Sequence, residues 1–265
     1  MVGNKEEIAI LYGKGEGVLA GVPFVNMVME EVGCSIDWFV KEGTHFRLDD
    51  SKSGKERYVK IAKVSGQANK ILTAERVALN LLSNSSGIAL KSRRLRDIAD
   101  RESFAGVIAA TRKTIPGFRC VQKYAVLVGG CDAHRMDLSS MIMLKDNAIE
   151  SCGNIEKAIE KAKQFGGFAL KVEVEARNEI EAFEAAKAGA DIVMLDNFSP
   201  SDALLTSQKL KSDYPHLIIE LSGGVTESSL SCYFSPHVDV ISTSSLIQSV
   251  AHVDFSLKIQ PTSLL

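Results

Sequence analysis

The sequence predicts an α/β protein in which a small N-terminal α/β unit precedes an incomplete or open parallel (β/α) barrel. Two observations carry this prediction. From residue 104 onward short apolar runs alternate with helical patterns, and glycines close several of the helices. Regular alternation of strand and helix with short connections favours parallel strands joined by right-handed crossovers. About six such units fit in the chain, whereas a complete barrel of this kind uses eight.

The N-terminal part reads as irregular strands with one short helix. Strands are predicted at 8–12, 36–40 and 58–64. Pro23 suits the first turn of a helix that runs to about residue 32, because proline loses no intrahelical hydrogen bond there. The glycines of GEGVLAG at 15–21 indicate a turn, since no GK follows them to complete a phosphate-binding loop.

A further helix is predicted from Thr73 to about Ser83. Its apolar stripe at helical spacing consists of Val77, Ala78, Leu81 and Leu82. The opposite face carries Arg76, which this pattern alone would leave as a surface arginine. Beyond it, strands are predicted at 104–110, 140–144, 169–174, 191–195, 217–221 and 238–242, and a last one at 255–259. The helices between them are predicted at about 117–128, 154–165, 178–188, 199–213 and 226–233.

Composition limits the functions that the chain could have. The formal net charge is −2 over 265 residues, which gives no broad basic face for nucleic acid. No apolar run approaches the roughly 18 residues that a membrane helix needs, and acidic residues near the N-terminus argue against a signal peptide, so a cytosolic protein is expected. The five cysteines are scattered without a CxxC pair, which predicts neither a disulfide framework nor a zinc site.

Positive charge is concentrated between residues 111 and 146. This stretch, TRKTIPGFRCVQKYAVLVGGCDAHRMDLSSMIMLKD, contains Arg112, Lys113, Arg119, Lys123, Arg135 and Lys145 against three aspartates. Scattered Lys and Arg are usually a solvated surface. Here Arg112 and Lys113 follow one apolar run and Lys145 ends another, so these charges are expected at one rim, where α/β folds bind ligands.

The residues that follow the six predicted strands form a chemically coherent set. In chain order they are Arg112 and Lys113, Lys145, Glu175, Asp196, Ser222 with Gly223 and Gly224, and Ser242 to Ser245. Cations suit carboxylate or diphosphate groups, two acids suit Mg²⁺ and ribose hydroxyls, and small-residue loops offer backbone N–H groups to phosphate. The residues alone indicate an enzyme that acts on a phosphorylated substrate.

Less specific interpretations stay open at this point. Glu175 and Asp196 could be solvated acids or helix caps, the LSGGV segment could be only a tight turn, and a lone histidine such as His134 is usually structural.

Several motifs in order resemble the quinolinate phosphoribosyltransferase family, also called nicotinate-nucleotide pyrophosphorylase (carboxylating). The runs are ERVALNLLSNSSGIA, TRKTIPGFR, KYAVLVGG, HR and KDN, and the resemblance extends over roughly residues 17 to 260. It implies an N-terminal α/β sandwich-like domain at 1–87, completed by the C-terminal tail 251–265, and a barrel-like catalytic domain at 88–250.

The resemblance also implies roles for individual residues. Quinolinate would be held by Arg112, Lys113, His134, Arg135 and Lys145, with Arg76 supplied by the neighbouring subunit of a homodimer or larger homo-oligomer. Glu175 and Asp196 would hold the ribose of phosphoribosyl pyrophosphate and, directly or through water, Mg²⁺. Ser222, Gly223, Gly224 and Ser244 would bind phosphate, and Lys113, Lys145, Glu175 and Asp196 would be catalytic. The implied reaction gives nicotinate mononucleotide, pyrophosphate and CO₂, on the de novo route to NAD.

Three departures from the family pattern leave alternatives. The family usually has additional N-terminal helix before the segment that matches GVLAG, whereas this chain has a short lead-in there. The family commonly has histidine at the position of Ala148 and glycine at that of Ser244. A degenerate relative that binds an anionic ligand without this activity is one alternative, and a molybdenum-transport-associated relative is another. The lysine of KDN and the acid of MLDN favour the quinolinate enzyme.

Overall fold

Strands and helices alternate along the chain in the computed structural model, which describes residues 3–261. The first part contains β1 (Glu6–Gly13), β2 (Gly17–Val18), α1 (Val22–Glu31), β3 (Ser35–Trp38), β4 (His45–Phe46), β5 (Val59–Gln67) and α2 (Ala68–Arg101). The chain continues with β6 (Val107–Ala109), α3 (Arg119–Val128), β7 (Ile142–Leu144), α4 (Asp146–Cys152), α5 (Ile155–Gly166), β8 (Val172–Ala176), α6 (Glu179–Lys187), β9 (Ile192–Asp196), α7 (Pro200–Asp213), β10 (Ile218–Ser222), β11 (Val240–Ser242) and β12 (Phe255–Ile259). Among these helices, none has an apolar stretch long enough to cross a bilayer.

The described residues divide into two compact units. The first comprises residues 3–94, 115–130 and 249–261, and the second comprises 95–114 and 131–248. Helix α3, which follows β6 in the chain, therefore groups with the first unit. The predicted limits of independent domains, 1–87 and 88–250, stay a prediction, because contacts within one chain do not show which segments fold alone.

The first unit contains a four-stranded antiparallel sheet in the order β12, β1, β5, β3. Alternate residues of β1, including Ala9 and Leu11, are buried in a core with Val25 of α1 and Ile71 of α2. Leu11 also pairs with Leu257 of β12. The predicted strand near the C-terminus is thus confirmed, and it completes the N-terminal sheet.

Helix α2 is much longer than the predicted 73–83, so both predicted ends are wrong. The small residues after Ser83 continue the helix instead of ending it. Ser85 and Ser86 are fully buried, and a Cβ atom at Gly87 would collide with the carbonyl oxygen of Ala251. Small side chains are therefore needed there for close packing. Val77, placed on the apolar stripe by the sequence, is 52% exposed.

The second unit contains a six-stranded sheet in the order β6, β11, β10, β9, β8, β7. Every pairing in it is parallel, which confirms the predicted barrel-like arrangement. The sheet is open between its end strands β6 and β7, although Asp132 forms a bridge with Ala109 of β6. Helices α5, α6 and α7 begin at the side-chain caps Asn154, Asn178 and Ser199.

The helix predicted at 226–233 is wrong. The chain forms a turn there, followed by a short 3-10 segment over Leu230–Tyr233. Thr226 and Ser229 exchange hydrogen bonds between their backbone N–H groups and each other's hydroxyl oxygens. Such local side-chain bonds offer the backbone an alternative to the helix.

Candidate active site

The carboxyl ends of the parallel strands surround a cavity of about 720 Å³ in the second unit. Parallel α/β sheets bind their ligands at this edge. The cavity is lined by the predicted residues Arg112, Lys113, His134, Arg135, Lys145, Glu175, Asp196, Ser222, Gly223, Gly224 and Ser244. Residues separated by as much as 132 positions in sequence therefore line a single cavity.

Four of these residues bring positive charge to the cavity wall. Arg112 and Lys113 follow β6, Lys145 follows β7, and Arg135 lies in the segment that leads to β7. The guanidinium of Arg135 donates to the carbonyl oxygen of Met141, the residue that precedes β7, at 3.4 Å. Burial lowers the pKa of Arg135, and the nearby charge of Arg112 lowers it further. An anion bound between these two arginines would relieve their repulsion.

His134 lies between Arg135 at the cavity wall and Glu220 inside the barrel. Its backbone adopts a positive φ of 55°, and its N–H donates to the Oδ1 atom of Asp132 at 2.6 Å. The Nδ1 atom lies 2.7 Å from the backbone nitrogen of Arg135, which donates to it. The Nε2 atom lies 3.0 Å from Oε2 of Glu220. Because Nδ1 accepts, the proton is assigned to Nε2, which donates to Glu220.

The two predicted acids end neighbouring strands of the sheet, β8 and β9. Glu175 forms an ion pair with Lys145 through its Oε2 atom, and its side chain is mostly buried. Asp196 accepts a hydrogen bond on Oδ2 from the side-chain amide of Asn197 at 2.6 Å. Asn197 itself adopts a positive φ of 58°, a conformation that asparagine tolerates better than most residues. Both carboxylates are thus held in place at the rim.

Two loops of small residues form another part of the wall. Gly223 and Gly224 have positive φ values of 97° and 61°, which glycine adopts without a steric penalty. The hydroxyl of Thr243, in the loop after β11, donates to the carbonyl oxygen of Val225 at 2.7 Å and so ties the two loops together. Ser244 is half-buried at the cavity wall. Backbone N–H and hydroxyl groups in such loops suit a phosphate.

Sequence reasoning missed two glutamates inside the barrel. Glu173 precedes Glu175 by two residues on β8, and Glu220 precedes Ser222 by two residues on β10. Since side chains alternate along a strand, each glutamate faces the same side as the rim residue that follows it. The sequence did contain a signal for them. In each of the runs KVEVEA and LIIELS, a glutamate stands two residues before the rim residue, at a strand position that is expected to face the interior. Burial raises the pKa of Glu173 to about 9, with Glu220 adding to the shift.

Three charged residues that the sequence had singled out lie elsewhere. Arg76 is exposed on α2 of the first unit, close in sequence to the exposed Val77. Arg119 and Lys123 lie on α3 of the same unit, and Lys123 is fully buried. The cluster of positive charge in the sequence is therefore divided, and its members on α3 do not line the cavity of the second unit.

The donor atoms at the rim suit a hydrated Mg²⁺ ion, which prefers oxygen ligands. Lys145 donates a hydrogen bond to Oε2 of Glu175, and the side-chain amide of Asn197 donates one to Oδ2 of Asp196. Within the part of the chain that the structure describes, no hydrogen bond engages Oε1 of Glu175 or Oδ1 of Asp196. These oxygens, with the hydroxyl of Ser222, form an all-oxygen set open to the cavity.

An open parallel barrel with cations, acids and small-residue loops at its strand ends defines an enzyme for anionic, phosphorylated substrates. Two family models match the chain: "Quinolinate phosphoribosyl transferase, N-terminal domain" over residues 2–86 and "Quinolinate phosphoribosyl transferase, C-terminal domain" over residues 88–258. The chain belongs to the quinolinate phosphoribosyltransferase family.

Curated relatives and solved structures agree with this assignment. The chain is 46% identical to the nicotinate-nucleotide pyrophosphorylase [carboxylating] of Dictyostelium discoideum, with 98% of this chain and 89% of the relative covered. It is 43% identical to the enzyme of the same name from Rattus norvegicus, with 98% and 84% covered. The structure of the nicotinate-nucleotide pyrophosphorylase from Francisella tularensis matches at a TM-score of 0.86 and 32% identity, with 97% of this chain and 88% of that chain covered.

Proposed function

We propose that this chain transfers the phosphoribosyl group of phosphoribosyl pyrophosphate to quinolinate and decarboxylates the product, releasing pyrophosphate and CO₂ and giving nicotinate mononucleotide. The observation that carries this proposal is a single cavity that joins four cations to two strand-end acids and two phosphate-type loops. The family match supports the same reaction. A binding-only or molybdenum-transport-associated relative has no support in these matches.

Quinolinate carries two carboxylates on adjacent ring carbons, so its recognition requires at least two positioned cations. Arg112 and Arg135 are suited to this task, because guanidinium groups pair with carboxylates through two parallel hydrogen bonds. Lys113 and Lys145 add charge at the same wall, and His134 holds the turn from which Arg135 extends. We assign this part of the cavity to quinolinate.

Phosphoribosyl pyrophosphate would bind across Glu175, Asp196 and the loops at Ser222–Gly224 and Ser244. Departure of pyrophosphate leaves positive charge on the ribose ring, and the two carboxylates would stabilise that charge as it develops. When bound with the diphosphate, Mg²⁺ would neutralise charge on the leaving group. Because Lys145 forms an ion pair with Glu175, the lysine would lie beside the same reacting region.

Decarboxylation follows from the new bond between the ring nitrogen and ribose. Once the nitrogen is part of a pyridinium ring, its positive charge stabilises the electron pair that the departing CO₂ leaves on the adjacent carbon, and that carbon then takes up a proton to give nicotinate mononucleotide. The cations that hold the second carboxylate orient the ring for this step. No further cofactor is needed for electron withdrawal.

We further propose that the enzyme acts as a homodimer or larger homo-oligomer in the cytosol, with Arg76 supplied to the neighbouring subunit. Arg76 projects from an exposed face of α2 that also carries Leu72 and Val77 at 40% and 52% exposure. Apolar surface beside polar residues is the composition that a subunit interface covers, and these two side chains support the proposal to that extent.

The proposed function is tested by incubating the purified chain with quinolinate, phosphoribosyl pyrophosphate and Mg²⁺ and following nicotinate mononucleotide. Product should form only when all components are present. Replacing quinolinate by nicotinate, which lacks one carboxylate, should reduce product formation strongly. Absence of nicotinate mononucleotide with the complete mixture would refute the proposal.

A further inference from the structure

Two glutamates are buried inside the strands below the cavity. Glu173 is 0% exposed and Glu220 is 2% exposed. Within residues 3–261, neither oxygen of Glu173 has a hydrogen-bond partner, and Oε1 of Glu220 has none. Burying carboxyl groups without partners is costly, so a fold that keeps two of them close together indicates a role beyond core packing.

Glu220 fixes the orientation of His134. Its Oε2 atom accepts from Nε2 at 3.0 Å, while Nδ1 accepts the backbone N–H of Arg135 at 2.7 Å. Both ring nitrogens are therefore engaged, and the imidazole connects the barrel interior directly to the backbone of Arg135. The side chains of His134 and Glu220 are 11% and 3% exposed, so water competes little for this contact.

Arg135 extends from this turn to the cavity wall. Its guanidinium donates to the carbonyl oxygen of Met141 and to the sulfur of Met143. The carboxyl groups of Glu173 and Glu220 lie close enough to raise the pKa of Arg135, which opposes the effect of burial. The carboxylate of Glu220 thus offsets part of the repulsion between Arg135 and Arg112, whereas burial keeps Glu173 protonated near neutral pH because it raises the pKa of that carboxyl to about 9. The nearest donor atoms of His134, Glu173 and Glu220 lie within 4.8 Å of one another, a spacing that a cation could occupy. The neighbouring guanidinium already supplies positive charge there.

We propose that Glu220 is a positioning residue for quinolinate: by holding His134 it sets the turn that aims the Arg135 guanidinium at a substrate carboxylate. This inference rests on the proposed function, since it concerns the quinolinate half of that site. It assigns Glu220 a role in affinity for quinolinate and none in the binding of phosphoribosyl pyrophosphate.

The test compares two replacements of Glu220. Glu220→Gln keeps an oxygen that accepts from Nε2 of His134, whereas Glu220→Met keeps the approximate volume and removes the acceptor. We expect Glu220→Met to weaken quinolinate binding at least about tenfold more than Glu220→Gln, the effect expected when a buried donor loses its acceptor. The KM for phosphoribosyl pyrophosphate should change by less than about threefold in both. Equal losses for both substrates would overturn the inference.

A double-mutant cycle with His134→Leu separates positioning from general destabilisation. If Glu220 acts through His134, adding Glu220→Met to His134→Leu should weaken quinolinate binding by no more than about twofold further. Additive losses would overturn the inference. Nitrogen chemical shifts of the His134 ring give a readout that needs no ligand: Glu220→Gln should keep the proton on Nε2, and Glu220→Met should allow a mixture of tautomers.

Failure of the proposed function would be seen separately. A parent protein that forms no nicotinate mononucleotide refutes that function, whatever the variants do. A parent protein that is active while Glu220→Met binds quinolinate normally, or keeps the parent's His134 tautomer, refutes the positioning role alone. Should Glu220→Met not fold, the comparison of Glu220→Gln with His134→Leu decides: a loss confined to His134→Leu supports positioning, and equal losses contradict it.

Discussion

Lys145 at the end of β7 forms an ion pair with Glu175 at the end of β8. In the proposed reaction the lysine belongs to the quinolinate side and the glutamate to the ribose side, so this contact joins the two substrate sites. Variants of this pair should change the KM values for both substrates, whereas variants of residues that contact one substrate should change one KM value.

In the proposed assignment, Arg112 and Arg135 bind quinolinate and do not contact phosphoribosyl pyrophosphate. Replacing either by alanine should weaken quinolinate binding at least about tenfold and change the KM for phosphoribosyl pyrophosphate by less than about threefold, because a charge-assisted partner of one carboxylate is lost. The measurement is a pair of initial-rate series, each with one substrate varied and the other saturating.

Lys145→Ala provides the comparison. It removes a quinolinate cation and also leaves Glu175 without its ion-pair partner, so the KM values for both substrates should rise. If Arg135→Ala affected both substrates as Lys145→Ala is expected to do, the assignment of Arg135 to the quinolinate side would be wrong.

The loop that we assign to phosphate contains two neighbouring glycines with different surroundings. A Cβ atom at Gly223 would lie 2.7 Å from the backbone nitrogen of Asn197, whereas none of the described residues has an atom within 4 Å of one at Gly224. Gly223→Ala should displace Asn197 from Asp196 and raise the KM for phosphoribosyl pyrophosphate at least about tenfold, whereas Gly224→Ala adds backbone strain of about 1–2 kcal/mol without displacing a neighbour.

Initial rates and thermal unfolding midpoints of both variants check this prediction. Equal increases in KM would show that strain in the loop, rather than contact with Asn197, controls the binding of this substrate.

The buried acid Glu173 predicts a pH dependence of stability. Burial, and then the charge of Glu220, raise its pKa from 4.5 to about 9, against smaller opposing effects of Arg135 and Lys145. Folding therefore favours the protonated form. The stabilising contribution is present below pH 4.5 and is lost as the pH rises through about 9.

Glu173→Gln has no carboxyl group to ionise, so its free energy of unfolding should fall less than that of the parent between about pH 5 and 9. Denaturant unfolding at several pH values measures this difference. Glu184→Gln, which removes an exposed acid from α6, controls for the loss of one negative charge. Parallel profiles for the parent and Glu173→Gln would contradict the prediction.

Arg76 tests the proposed assembly. If a neighbouring subunit uses this arginine, sedimentation should show at least a dimer, and Arg76→Ala should lower activity while the cavity of its own chain stays intact. Mixing Arg76→Ala with Lys145→Ala subunits should then restore some activity, because one site in a mixed dimer keeps both residues. A fully active monomer would rule out this role.

The sequence predicted the second unit better than the first. Strands of the barrel stood out because apolar runs alternate with capped helices, and their ends brought Arg112, Glu175 and Asp196 to one rim as expected. The full length of α2 could not be predicted, because Ser85 and Ser86 are turn formers that the fold buries for close packing. Local patterns do not show which tertiary neighbour will make a small residue necessary.

Contacts between residues that are far apart in the sequence could not be predicted either. The hydrogen bond between His134 and Glu220 joins positions 86 residues apart, and it depends on the pairing of strands that the sequence does not specify. A glutamate within an apolar strand was visible, but its histidine partner was not.

The most direct test of the central claim compares the parent with Glu175→Gln and Asp196→Asn, using quinolinate labelled in the carboxylate next to the ring nitrogen. The parent should release labelled CO₂, pyrophosphate and nicotinate mononucleotide in equal amounts. Each amide variant should bind quinolinate within about threefold of the parent. Its turnover should be lower by roughly 10²-fold or more, because it loses one electrostatic stabiliser of the charge that develops on ribose. Amide variants that turn over like the parent, or a parent that binds quinolinate without releasing CO₂, would contradict the account.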